Sequence, residues 1–178
     1  MTLFVPPEAI SYYHNLAIDA HHTANLETHL RVTLFAMPIY VSMGDQEADR
    51  STRRYIQMRR YIDLAKRYCM PIMANQCCVY HHTPDIGLLS PAPWCVLEYA
   101  SSDQRRGYAG IFRLNREGSS EYVFRPRGIG IDKVYRVTLD NHGQTIEVSG
   151  YELATHGIPI HLDTPLTSEL ILFNETIM

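Results

Sequence analysis

The chain lacks any hydrophobic run long enough to cross a bilayer. It has 178 residues, and none of its apolar stretches approaches the roughly 18 to 20 consecutive residues that a membrane-spanning helix needs. The opening residues, MTLFVPPEAIS, lack the basic start and long apolar core of a secretory signal. We therefore expect no membrane partner, and the cytoplasm is the favoured location.

The chain also lacks a strong excess of positive charge. Its formal net charge is −3, whereas binding to nucleic acid needs a concentrated basic surface. The nearest approach to a basic patch is one short run of arginines: Arg50, Arg53, Arg54, Arg59 and Arg60. That spacing is typical of the solvent face of a helix, so we expect no nucleic-acid partner.

Metal-binding and cofactor-binding patterns are missing as well. The four cysteines, Cys69, Cys77, Cys78 and Cys95, form no C-x-x-C pair and no zinc spacing, which predicts mostly buried thiols. His21, His22 and His29 have no carboxylate or cysteine at a convincing ligand spacing. The sequence contains no G-x-S-x-G motif, phosphate loop or dinucleotide fingerprint. We expect no metal and no cofactor.

The second half of the chain has the pattern of antiparallel strands. From Tyr135 to Phe173, short runs alternate apolar and polar residues between turn formers. Residues 140–143, Asp-Asn-His-Gly, predict a turn that reverses the chain into Thr145–Val148. Earlier strands are predicted over Trp94–Tyr99, Tyr108–Leu114 and Glu121–Arg125.

The first half is mixed. Tyr12 to Thr23 has no clean period and is interpreted as a loop, after which Asn25 is a candidate cap for a short helix. Val32–Met37 is interpreted as a buried strand, although periodicity alone does not exclude a buried helix. The clearest helix follows, capped by Asp49 or Ser51 and predicted to end near Tyr68, before Pro71. Residues 75 to 93 are interpreted as an irregular passage.

This order of elements predicts an α+β chain in which a strand–helix unit ends a larger α/β body and an antiparallel β-sandwich follows. One strand and one or two helices cannot bury a parallel sheet alone. The predicted boundary divides the chain into residues 1–90 and residues 91–178.

Eight segments in this order carry a resemblance to a known family: Ser11 with His14, Val32 to Gly44, Ile62 to Lys66, Trp94 to Tyr99 with Asp103, Ile111 to Leu114, Tyr135 to Thr138, Gly150 to Leu153, and Ser168 to Leu172. The series resembles the carboxyl-terminal part of glycoside hydrolase family 36, the retaining alpha-galactosidases and their melibiase-like relatives. The resemblance implies that residues 1–90 are the last strand–helix unit of a (β/α)8 barrel and that residues 91–178 are its β-sandwich.

The same resemblance implies that the chemistry lies elsewhere. The family places two catalytic aspartates in Lys-Trp-Asp-like and Gly-Gly-Gly-Arg-x-Asp-like motifs, and the chain contains neither. No catalytic residue is therefore assigned. The chain is expected to be a structural, inactive piece of an enzyme that hydrolyses alpha-galactosides in its full-length context.

His14 and Asp19 are the candidate substrate-rim residues, because barrel enzymes bind substrates at the carboxyl ends of their strands. Packing within a loop is the alternative for both. Four aromatic residues could stack on a sugar, although core packing explains them equally well and explains the last one better: Tyr12, Tyr13, Tyr80 and Trp94.

Two other functions stay open. One is a free-standing carbohydrate-binding β-sandwich. The other is a split subunit that pairs with a separate barrel piece and exposes an apolar patch around Leu30 to Ile39. The expected partners are a carbohydrate of the galactoside class and either a second copy of the chain, as a homo-oligomer, or an upstream barrel piece.

Overall fold

The chain consists of two compact units, and the boundary between them lies between Ala74 and Asn75. The computed structural model describes residues 11–15, 25–41, 53–83 and 92–176. No helix among these residues is both long and apolar enough to span a membrane.

The first unit contains two parallel strands joined through a helix. Strand β1 (Ser11–Asn15) pairs in parallel with β2 (Met37–Val41), and Ser11 is the register partner of Met37. Helix α1 (Leu26–Thr33) lies between them in the chain, as parallel pairing requires a crossover connection. The Asn25 side chain accepts a hydrogen bond from the Thr28 backbone N–H at 2.8 Å, which confirms the predicted cap.

Two predictions for this region are wrong. Residues 12–15, interpreted as a loop, belong to β1. The buried strand predicted over Val32–Met37 is instead the end of α1 and a turn, and β2 begins only at Met37. The apolar run is short enough to serve either structure, and the capped helix extends into it. Leu30 and Leu34 are fully buried, so this part of the expected apolar patch is covered within the chain.

The long helix of the first unit packs against α1. Helix α2 (Arg53–Leu64) continues through a π-helical segment, Ala65–Cys69, into α3 (Met70–Met73). Its buried residues recur at spacings of three and four: Met58, Tyr61, Ala65, Cys69 and Ile72. The buried Arg31 donates from Nε to the Tyr61 hydroxyl at 2.9 Å. Asp49 and Ser51, the predicted caps of α2, lie outside the described residues.

The helix does not end near Tyr68 as predicted but passes Pro71 and reaches Met73. A proline inside an α-helix clashes with the carbonyl four residues earlier. The π-helical turn directly before Met70 changes the hydrogen-bond spacing there, which gives the proline ring room without breaking the helix.

The second unit is built on a six-stranded antiparallel sheet with the order β3-β4-β5-β10-β7-β8. Its strands are β3 (Cys78–His81), β4 (Trp94–Ala100), β5 (Arg106–Arg113), β7 (Val134–Leu139), β8 (Gln144–Ser149) and β10 (Thr167–Glu175). A second sheet pairs β6 (Glu121–Phe124) with β9 (Ile158–His161), and α4 (Gly150–Thr155) joins β8 to β9. The strands predicted from Trp94 onward are confirmed, with ends shifted by one or two residues.

The core of this unit contains buried side chains from both sheets and from α4: Trp94, Val96, Ala100, Ala109, Ile111, Phe124, Ile129, Tyr135, Val137, Leu153, Ile158, Ile160, Leu162, Ile171 and Phe173. This arrangement confirms the predicted antiparallel sandwich. In β7, Tyr135 and Val137 are buried and Arg136 is exposed, as the alternation predicts. The predicted turn is also present, with Gly143 at φ +61 between β7 and β8.

Strand β3 lies in the passage that the sequence predicts to be irregular. It pairs with β4 from Cys78↔Ala100 to His81↔Leu97. Residues 78–81 therefore belong to the antiparallel sheet, although they precede the boundary predicted between residues 90 and 91. The short edge strand carries cysteine, tyrosine and histidine in place of a clear apolar alternation, which explains why the sequence pattern does not reveal it.

Candidate functional site

The first candidate site is the carboxyl end of the parallel pair. His14 is the fourth of the five residues of β1 and is the register partner of Tyr40. Because the two strands run in the same direction and in register, their carboxyl ends lie side by side. Asp19, the second rim candidate, follows β1 in the sequence and lies outside the described residues. Tyr12 and Tyr13 belong to β1 as well.

The two aromatic candidates in the second unit, Trp94 and Tyr80, both pack against the core, and Trp94 is the more deeply buried of the two. Trp94 is 7% exposed; its ring centroid lies 5.6 Å from that of Tyr122, and the Arg113 guanidinium carbon lies 6.0 Å from the Trp94 ring centroid. This environment agrees with core packing and leaves little surface for a sugar. Tyr80 is partly buried against the core, and its burial raises the pKa of its hydroxyl.

A buried carboxylate that the sequence analysis did not single out lies on β4. Glu98 is fully buried. Its Oε2 accepts a hydrogen bond from the Arg127 backbone N–H at 2.9 Å, and its Oε1 accepts one from the Gly128 backbone N–H at 2.8 Å. His82 Nε2 lies 2.7 Å from Glu98 Oε2. A signal was present, because Glu98 interrupts the otherwise apolar series Trp94, Val96 and Ala100 on one face of the strand.

The residues that bond to Glu98 are themselves closely packed. The His82 ring centroid lies 5.2 Å from that of Phe124. A Cβ atom at Gly128 would overlap the Cβ of Ala100 and lie 3.0 Å from Glu98 Oε1. Residues 127 and 128 therefore bring their backbone directly onto β4, an approach that only glycine permits at position 128.

This arrangement suits an anchor better than an acid/base catalyst. Both oxygens of Glu98 already accept protein hydrogen bonds in a water-poor environment. Glu169, the other buried carboxylate of the described residues, accepts from the backbone N–H groups of Asn141 and Leu170, both at 2.9 Å. Retaining glycosidases need two carboxyl groups about 5 to 5.5 Å apart, open to the sugar. Both glutamates are buried, so neither carboxylate is open to a sugar in this way.

The described residues contain no group of three or more His, Cys, Asp or Glu side chains that could hold a metal ion. All four cysteines lie within them and are present as thiols. Cys69 is buried, and burial raises the pKa of Cys95. Of the three histidines considered as ligands, His21 and His22 lie outside the described residues, and His29 lies in α1.

Comparison with solved structures gives the same fold over nearly the whole chain. The galactosidase domain of an alpha-galactosidase-sucrose kinase, AgaSK, matches with a TM-score of 0.71 and 18% identity, covering 98% of this chain and 23% of that one. An alpha-galactosidase from Lactobacillus brevis matches with a TM-score of 0.73 and 15% identity, covering 97% and 23%. The family 36 alpha-galactosidase AgaA from Geobacillus stearothermophilus, in complex with raffinose, matches with a TM-score of 0.61 and 17% identity, covering 94% and 21%.

The chain thus spans less than a quarter of each of these solved proteins. No curated protein sequence matches it. A family model does match, and its region begins at the first residue of β4 and ends within β10. Residues 94–173 match the model described as the glycosyl hydrolase family 36 C-terminal domain. Most of the second unit is therefore similar to the C-terminal domain of glycosyl hydrolase family 36.

Proposed function

We propose that this chain is the terminal portion of an alpha-galactosidase-like retaining glycoside hydrolase, active only together with the barrel segments that carry the catalytic carboxylates. One observation carries the proposal. A parallel strand–helix–strand unit and a long helix precede a sandwich that matches the family 36 C-terminal domain. Solved alpha-galactosidases match this succession over 94 to 98% of the chain.

The first unit supplies the end of the barrel. Strands β1 and β2 are parallel, and parallel sheets occur almost only as larger sheets covered on both faces. Within the described residues each of the two strands pairs only with the other, so each has an edge at which a further parallel strand would continue the sheet. This incomplete sheet supports the assignment of the first unit to the remnant of a (β/α)8 barrel.

The substrate of the complete enzyme would be an alpha-galactoside. The Geobacillus AgaA structures contain raffinose in one case and 1-deoxygalactonojirimycin in another. By the rule that barrel enzymes bind substrates at the carboxyl ends of strands, His14 belongs to the rim of that site. Asp19, four residues beyond β1, is proposed for the same rim.

The second unit would act as a structural domain. Its buried carboxylates hold backbone N–H groups, and its single tryptophan lies in the core. A free-standing sugar-binding module would instead present aromatic rings to solvent. In the part of the chain that the structure describes, Tyr151 is the one aromatic residue among the exposed large hydrophobic side chains. We therefore prefer the structural role to the binding module.

A split subunit is the second candidate, and the incomplete parallel sheet favours it. An activity assay separates the possibilities. The purified chain alone should not hydrolyse p-nitrophenyl alpha-galactoside, whereas the chain supplied with a barrel piece that carries the two aspartate motifs should. If addition in trans restores activity, the chain works as a split subunit; if only a fusion does, it is a segment.

The contrary results are equally clear. Robust turnover by the isolated chain, abolished by an aspartate-to-asparagine change within it, would overturn the proposed catalytic silence. Glycan binding by the isolated chain in the sub-millimolar range would favour the carbohydrate-binding module instead.

A further inference from the structure

The outward face of α2 and of the π-helical segment after it is strongly basic. Its exposed side chains, at spacings of three and four residues, are Arg53, Ile56, Arg59, Arg60, Asp63, Lys66 and Arg67. Five cations and one carboxylate thus cover about 21 Å of helix at 1.5 Å per residue. The chain as a whole has a net charge of −3, so this basic face is a local reversal of its charge.

Four of the five cations of the basic face form no ion pair with the rest of the described chain. The ion pairs among the described residues include none of Arg53, Arg59, Lys66 and Arg67. Arg60 differs, because its guanidinium lies 5.2 Å from the ring centroid of the adjacent Tyr61. Four exposed cations therefore keep their charge available to a partner.

The start of the helix breaks a local rule of helix stability. The first turn of α2 contains no acidic residue and begins with Arg53, although the amino terminus of a helix favours negative charge. A cation at this position opposes the helix dipole. Positions at which a sequence departs from local stability rules are more often functional than the rest.

The composition of the basic face matches a protein interface. Four of its five cations are arginines, and arginine is enriched at protein interfaces whereas lysine is depleted. Ile56 is 57% exposed and lies between Arg53 and Arg59, one helical turn from each. An apolar centre surrounded by arginines is the pattern of a small contact surface with a charged rim.

We propose that the basic face of α2 docks an acidic protein surface that presents glutamate or aspartate around an apolar side chain opposite Ile56. A symmetric contact with a second copy would bring cations against cations. The exposed positions include no aromatic ring for stacking on bases, as single-stranded nucleic acid requires. Membrane insertion needs a broad apolar face, whereas the apolar face of α2 is buried in the chain.

The test uses the full chain and a fluorescein-labelled peptide of alternating glutamate and leucine, followed by fluorescence anisotropy at several salt concentrations. The double charge reversal Arg59→Glu with Lys66→Glu should weaken binding about tenfold or more and flatten its salt dependence. Ile56→Gln should weaken binding while leaving the salt dependence unchanged. The matched control is Arg116→Glu with Arg136→Glu, an equal charge change on exposed residues of the sandwich unit, which should alter binding less than about twofold.

Circular dichroism establishes that each variant keeps its helix content. The proposal is overturned if the control reversal weakens binding as much as the α2 reversal does. It is also overturned if Ile56→Gln has no effect and poly-L-glutamate binds as well as the mixed peptide, since the contact would then be a general charge effect. Tighter binding of single-stranded poly-dT, or of vesicles rich in phosphatidylserine, would assign the basic face to nucleic acid or to membrane.

Discussion

The Nε2 atom of His82 lies 2.7 Å from Oε2 of Glu98, and the two side chains are 6% and 0% exposed. The same carboxylate accepts hydrogen bonds from the backbone of residues 127 and 128. One buried side chain thus joins three separate segments: β4, the residue after β3, and the connection between β6 and β7. Glu98 therefore fixes the connection that leads from the second sheet to β7 against strand β4.

We expect Glu98→Gln to destabilise the chain by about 2 kcal/mol, because a buried carboxylate that accepts backbone hydrogen bonds is lost. In either orientation of the glutamine amide, its NH2 group would face a backbone N–H of residue 127 or 128. That N–H would then lose its hydrogen-bond acceptor. Urea denaturation measures the change in the free energy of unfolding. Glu117→Gln, at an exposed position, is the control and should change it by less than about 0.5 kcal/mol. A loss below about 1 kcal/mol for Glu98→Gln would contradict the anchoring role.

Gly128→Ala should destabilise the sandwich by about 1 to 3 kcal/mol, because the new methyl group overlaps the Cβ of Ala100. The clash is between two side-chain positions, so Ala100→Gly should restore part of the loss in the double variant. A double-mutant cycle measures this coupling. Gly150→Ala is the matched comparison, because its methyl group would meet the backbone carbonyl of Gly130, which no side-chain change removes. Equal losses with and without Ala100→Gly would show that the clash is not the cause.

Ser101→Ala should raise the pKa of Asp103 toward its usual value. In the structure the Ser101 hydroxyl donates to Asp103 Oδ1 at 2.6 Å, and this bond, joined by one from the Arg105 backbone N–H, lowers the pKa of Asp103 below its usual value. A depressed pKa means that the ionised group stabilises the fold above the unfolded pKa, and that this contribution is lost as the pH falls through the folded pKa.

The measurement is an NMR titration of the Asp103 side chain in both proteins. Because the carboxylate is exposed, the effect on the free energy of unfolding should be small even where the pKa shift is clear. Ser102→Ala removes a hydroxyl from the neighbouring residue, so it is the matched control and should leave the Asp103 titration unchanged. An unchanged titration in Ser101→Ala would rule out the hydroxyl as the main cause.

His14→Ala should raise KM for an alpha-galactoside about tenfold in the enzyme reconstituted with its barrel piece, and should change kcat less, if His14 contacts the substrate at the rim. Steady-state kinetics on the reconstituted enzyme measure both constants. Tyr40→Phe, at the register partner in β2, serves as the comparison for a change at the same edge of the sheet. A fall in kcat with an unchanged KM would assign His14 a role other than rim binding.

The sequence predicted the elements whose signal is local. The alternation in β7, the turn at Gly143 and the cap at Asn25 depend on neighbouring residues, and all three are present. The resemblance in segment order also predicted the family whose C-terminal-domain model matches residues 94–173. Site residues were harder to predict. Whether His14 lies at the edge of a substrate site depends on which strands pair with β1, and those strands are distant in the sequence.

Only the tertiary structure decided the features that depend on distant partners. Val32 and Thr33 are β-branched residues that suit a strand, yet they end α1, a capped helix in which Leu30 is fully buried. Strand β3 has no clear alternation and exists because β4 supplies its hydrogen bonds. Glu98 appears in the sequence as one charge in an apolar strand; its role appears only when His82 and the backbone of Gly128 reach it from elsewhere in the chain. Sequence patterns report local conformational preference, whereas burial and hydrogen bonding between distant segments are settled by the folded chain.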